Sequence, residues 1–178
     1  MSASAIVTLK PPVGPKDHMQ GPPDAPVTLV EYGDYECPYC GEAYPVVKAL
    51  QERLGDQICF VFRNFPLAQA HPHAEEAAEA AEAAASQGKF WEMHDLLYEN
   101  QDALEPEDLV KYARALRLEL PRFVLEMREH VYKERVREDF RSGVRSGVNG
   151  TPTFFINGVR HDGPFDLRSL LAAIEEAV

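Results

Sequence analysis

A stretch of helical period, residues 71–147, separates two regions that read as strands, and no other feature constrains the fold as much. Upstream, residues 27–32 are apolar and β-branched and run into Gly33-Asp34, the profile of a buried strand that opens into a loop. Ala43, Val46, Val47, Leu50 and Leu54 then recur at i, i+3, i+4, i+7 and i+11, drawing one apolar stripe on a helix that starts at Pro38 and stops at Gly55. Residues 58–65, rich in aromatics and ended by Pro66, read as a second buried strand. The order is therefore strand, helix, strand, and then a long helical tract.

Gly88, Pro106 and Pro121 punctuate that tract into four or five helices. In the first of them Ala74, Ala77, Ala78, Ala81 and Ala85 share a face small enough for close packing, while Glu75, Glu79 and Glu82 are expected to face solvent. Strand signal returns at residues 153–156, where Asn157-Gly158 supplies both positive-φ residues of a tight hairpin turn to residues 159–161. Asp166 then caps a last helix whose apolar stripe is Leu167, Leu170, Leu171, Ile174 and Val178. At the other end, residues 10–26 hold six of the 14 prolines and read as an irregular arm, with a short strand at 5–9 before it. The 178 residues are expected to form one domain, with core halves at about 26–66 and 148–178 and a helical insertion at about 67–147.

Lys and Arg number 18 against 29 Asp and Glu, a net charge of −11 that repels nucleic-acid phosphates and anionic lipid headgroups. Neither nucleic acid nor membrane is an expected partner. The apolar runs fall far short of the roughly 20 residues that a spanning helix needs. The first residues lack the basic and long apolar regions of a secretory signal, so a leaderless, cytoplasmic protein is expected. Three cysteines, Cys37, Cys40 and Cys59, are too few to staple a chain that can build its own core, which points to cysteine chemistry.

That chemistry centres on Cys37-Pro38-Tyr39-Cys40, at the junction of a loop and a helix. If Pro38 is the first helical residue, Cys37 is the N-cap, and its sulfur faces unpaired backbone N–H groups and the positive end of the helix dipole. Such a site favours thiolate, each unit below the ordinary thiol pKa representing about 1.4 kcal/mol. Cys37 is the expected nucleophile. Cys40, one turn on, shares the stripe of Ala43, Val47, Leu50 and Leu54, so it faces inward and attacks once Cys37 is tied up in a mixed disulfide. A metal site is not expected, since zinc takes about four ligands and the sequence holds neither a second CxxC nor an H-x₃₋₅-H pair.

Glu31 lies in an apolar strand six residues before Cys37. Buried, it would have a raised pKa and could accept the proton of Cys40; on an edge strand it would simply reach water. The residues leave both readings open. Pro152 precedes a strand, where its missing N–H is tolerated, and the isomer of the Thr151–Pro152 bond is not fixed by sequence. Trp91, Phe90 and Tyr98 are read as core, Cys59 as a small packed hydrophobe, and His71, His73 and His94 as structural or solvated.

Together, VTLVEYGDYECPYC, Pro45 in the following helix, the helical tract with QGKFWEMHDLLYENQ, and GVNGTPTFFING before a last helix resemble the DsbA-like branch of the thioredoxin superfamily over nearly the whole chain. The resemblance implies an α/β fold, a thioredoxin-like mixed β-sheet flanked by helices with an all-α insertion between its halves. It also implies a buried acid at Glu31 and a cis Pro152 lying against the CxxC. Thr151 would offer backbone hydrogen bonds to an extended substrate, with Pro38 and Tyr39 also in the substrate site. DsbA proper carries a histidine where Tyr39 stands here, so an imidazolium beside the thiolate is lost and a less oxidising couple is expected.

The expected activity is thiol–disulfide exchange with protein or small-thiol substrates, through a Cys37 mixed disulfide resolved by Cys40. No cofactor is expected beyond that cysteine pair. Protein disulfides or dithiols would be the partners, with glutathione or a thioredoxin-type donor closing the cycle, and the chain a monomer or weak dimer. The reading from another class is a redox-switched protein-binding or stress-response module without turnover.

Overall fold

The computed structural model describes residues 5–178. Five strands form one mixed sheet: β1 (His18–Gln20), β2 (Val27–Gly33), β3 (Ile58–Asn64), β4 (Thr153–Ile156) and β5 (Val159–His161), in the order β1-β3-β2-β4-β5. β2 is central, parallel to β3 with Glu31 opposite Phe62, and antiparallel to β4 with Glu31 opposite Phe154. Burial on both faces explains why β2 and β3 read as continuous apolar runs instead of alternating ones.

Two parallel neighbours need a crossover, and α1 (Pro38–Leu54) supplies it. Pro38 sits in its first turn and Gly55 ends it at φ 53°, a conformation glycine adopts without strain. Cys40, Ala43, Val47 and Leu50 are its buried side chains. Between β3 and β4 come α2 (Ala74–Ala85), α3 (Phe90–Glu99), α4 (Pro106–Ala115), α5 (Leu120–Arg128) and α6 (Lys133–Arg145), and α7 (Leu167–Ala177) closes the chain. Asp166 caps α7 by accepting the Ser169 N–H at 2.9 Å. Val178 lies beyond that helix and is exposed, outside the stripe to which its spacing assigns it.

The sheet divides the core. On one face Leu29, Phe60, Phe62, Phe154 and Ile156 pack with α1, α7 and the helical tract. On the other Val30, Tyr32, Cys59, Val61 and Phe155 pack with Val13 and Met19 of the arm and Phe140 of α6.

Three expectations are corrected. Glu79 and Glu82 are buried, because the small side chains of α2 let neighbours close on nearly every side. Each is compensated by a distant partner: Glu79 by His130 at 3.1 Å, and Glu82 by His18 at 2.8 Å and the Asn64 amide at 3.1 Å. The strand expected at 5–9 reduces to a single bridge, Thr8 with Val159. The proline-rich arm instead contains β1, which extends the sheet beyond β3. The buried Arg63 fixes that arm, donating to Asp17 at 2.8 and 2.9 Å and to the Pro11 and Pro12 carbonyls.

Candidate active site

The site begins where β2 ends. Asp34 turns the chain: its carbonyl accepts the Cys37 N–H at 3.1 Å, and its buried carboxylate accepts the N–H groups of Glu36 at 2.8 Å and Leu67 at 2.9 Å. Cys37 is thereby set as the N-cap of α1, in extended conformation. From the end of the α3 segment the Gln101 amide donates to the Tyr35 carbonyl at 3.0 Å and the Cys37 carbonyl at 2.8 Å. It reaches them across Gly41, where any Cβ would collide with the Gln101 side chain.

The two sulfurs occupy opposite electrostatic surroundings. Cys37 has its pKa lowered to about 5: the Cys40 thiol donates to its sulfur, which burial alone would have kept protonated, and Thr151 and the N–H groups of Cys40 and Tyr39 add to the effect. As a thiol, Cys37 Sγ lies 3.6 Å from the Thr151 carbonyl; Thr151 Oγ1 is buried without a partner, which leaves its hydroxyl to serve the thiolate. Cys40 is pushed the other way, first by burial, then by its bond to Cys37 and the charges of Glu31 and Cys37. Cys37 is 3% exposed, beside the exposed Pro38 and Tyr39.

Glu31 lies in the central strand and is 2% exposed, which removes the reading of an edge-strand side chain in water. Burial raises its pKa to about 8, with the Cys37 charge adding. Its Oε1 has no hydrogen-bond partner, and neither has the hydroxyl of Tyr98, which descends from α3 onto the same sheet face. Gly33 makes room for it, since a Cβ there would stand 2.7 Å from the Tyr98 oxygen. Thr151 and Pro152, joined by a cis peptide bond, are half-buried, and the Thr151 carbonyl faces Cys37 Sγ. Cys59 is on the opposite face of the sheet, away from the other two cysteines.

Sequence reasoning gave no site role to Asp34 or Gln101 and read His71 and His73 as structural or solvated. His71 bonds Asp34 at 2.7 Å, His73 bonds Glu36 at 3.0 Å, and Asp34 and Gln101 shape the loop itself. His94 takes the structural of its two readings: it is buried among Tyr35, Phe62, Trp91 and Tyr98, with Nδ1 2.9 Å from the Tyr35 hydroxyl. Among the described residues no cluster of three or more His, Cys, Asp or Glu could hold a metal ion, and no helix is long and apolar enough to cross a membrane.

The family model described as Thioredoxin matches residues 14–176. A Na(+)/H(+) antiporter NhaA 3 of Salinispora tropica is 49% identical over 99% of this chain, which spans only 27% of that relative's length. The crystal structure of oxidised BdbD from Bacillus subtilis superposes with a TM-score of 0.84 at 24% identity, covering 98% of both chains. A thioredoxin-like oxidoreductase from Silicibacter pomeroyi gives a TM-score of 0.81 at 27% identity, over 92% of this chain and 93% of that one.

Proposed function

Because this chain belongs to the thioredoxin family, in its DsbA-like form, we propose that it is a thiol–disulfide oxidoreductase acting on protein substrates through Cys37. The asymmetry of its two sulfurs carries the reading: one stabilised as thiolate at a helix N-terminus, the other buried behind it as thiol.

In the reducing direction the Cys37 thiolate attacks a substrate disulfide, one substrate sulfur leaves as thiolate, and a mixed disulfide forms. That step removes the Cys37 charge, which had helped hold Glu31 protonated. Glu31 then ionises more readily, releasing its proton to solvent, and the carboxylate accepts the Cys40 proton. The Cys40 thiolate attacks Cys37 Sγ, the second substrate sulfur leaves, and two electrons have passed to the substrate. Oxidation of a substrate dithiol is the same sequence reversed. In this reading an extended peptide would lie along Thr151 and Pro152, whose first carbonyl faces Cys37 Sγ, and would pass the exposed Pro38 and Tyr39. A stabilised Cys37 thiolate favours the reduced pair, so the disulfide form gives up its bond readily. Glutathione or a thioredoxin-type protein would restore the starting state.

The test uses two variants of the full chain. Cys37→Ser abolishes exchange with insulin, whereas Cys40→Ser accumulates a protein–substrate mixed disulfide that dithiothreitol releases. Exchange retained in Cys37→Ser, or no activity in the unaltered protein with dithiol and disulfide substrates alike, rejects the assignment.

A further inference from the structure

Two carboxylates stand three residues and one residue before Cys37, at Asp34 and Glu36, and a like charge near a sulfur opposes its ionisation. Each is met by an imidazole from one tripeptide on the segment after β3. Asp34 Oδ2 lies 2.7 Å from His71 Nδ1, and Glu36 Oε1 lies 3.0 Å from His73 Nδ1. The spacing matches on both sides, two residues apart on the loop and two apart on His71-Pro72-His73. The backbone adds to the fit, because Glu36 Oε2 also accepts the His73 N–H at 2.6 Å.

The surroundings favour charged imidazoles. Burial works against charge on His71, but the hydrogen bond and charge of Asp34 outweigh it, with Cys37 and Glu36 adding, and its pKa is raised. The bond to Glu36 raises that of His73, helped by Glu105, whose Oε1 lies 3.2 Å from His73 Nε2. The charged groups facing the pair are thus Asp34 and Glu36 from the loop, Glu105 from the N-cap of α4, and Cys37 itself.

We propose that His71 and His73 are positioning residues that clasp Asp34 and Glu36 and, by neutralising them, keep these carboxylates from opposing the Cys37 thiolate. This rests on Cys37 being the nucleophile. It also relocates the missing cation: the Pro38-Tyr39 dipeptide carries none, and the clasp brings two from a neighbouring segment.

The experiment measures the pH dependence of Cys37 alkylation by iodoacetamide in the full chain, site-resolved by mass spectrometry. His71→Asn and His73→Asn replace Nδ1 with an uncharged donor, and Asp34 keeps its two backbone donors in the first. The midpoint is expected to rise by about half a pH unit in each and about one in the double variant, an interaction typical of partly buried charges. Adding Glu36→Gln to His73→Asn returns it to the wild-type value, a rescue that a packing role would not produce. Unchanged midpoints, or no rescue, overturn the proposal.

A second measurement needs no variant. Coupling is reciprocal, so forming the Cys37–Cys40 disulfide must lower the NMR titration midpoints of both histidines; equal midpoints in the two redox states refute it. Alkylation is read without substrate. A protein whose midpoints shift but which never turns over loses the proposed function and not the clasp, and the reverse result does the opposite.

Discussion

The two faces of the sheet treat buried polar groups in contrary ways. On the face under the proline-rich arm, Arg63 is 3% exposed, yet its guanidinium meets Asp17, the Tyr32 hydroxyl and two carbonyls. On the face under α1 and α3, Glu31 Oε1 and the Tyr98 hydroxyl are buried with no partner at all. A paired ion is architecture, since it ties the arm at Pro11, Pro12 and Asp17 to β3. A carboxyl left unpaired beside a cysteine pair costs stability, and under the proposed function it stands where a proton would be accepted.

The widest test of that contrast is Arg63→Leu. It strands Asp17 and removes the arm's tie to β3 at Pro11 and Pro12, and a loss of about 3–5 kcal/mol in denaturant unfolding is expected, as when one member of a buried pair is removed. The alkylation rate of Cys37 in the folded fraction should not change. A loss below about 1 kcal/mol would mean that the pair contributes little to holding the arm.

Glu31→Gln should behave oppositely. Its folded pKa of about 8 stands above the model-compound value of 4.5, so between these pH values the unfolded chain releases a proton that the folded chain keeps. Wild-type stability therefore falls as pH rises through that window, and the variant lacks this slope. A gain of about 2 kcal/mol at neutral pH is expected, measured by urea unfolding at several pH values. Resolution of a preformed mixed disulfide, followed by stopped flow, should slow about 100-fold, the scale of a lost general base. Stability gained without slower resolution would separate burial from catalysis.

Tyr98→Phe is the smallest change. Deleting a buried hydroxyl without a partner should leave the protein as stable or up to about 1 kcal/mol more stable, by thermal unfolding. A loss above that would show that the hydroxyl is hydrogen-bonded after all.

Local pattern and distant pairing explain what could be read ahead of the structure. The bounds of α1 follow from Pro38, the apolar stripe and Gly55, all short-range signals. The hairpin follows from Asn157 and Gly158, which adopt φ 48° and 82°. β1 was not legible, because three residues carry no period and form a strand only by pairing with β3. Glu79 and Glu82 look solvated on a helical wheel, and only His130, His18 and Asn64, far away in the chain, make their burial tolerable. At the site, Cys37 and Cys40 announce themselves by spacing. Asp34, His71, His73 and Gln101 do not, since their meaning lies in which loops the fold sets side by side.

Gln101 ties these layers together more tightly than its single amide suggests. Because one NH₂ group grips the carbonyls of Tyr35 and Cys37 over the bare backbone of Gly41, the helical layer and the first turn of α1 cannot shift independently. A displacement at the end of α3 would pull both tethers at once, so it would be felt in the loop that carries Cys37.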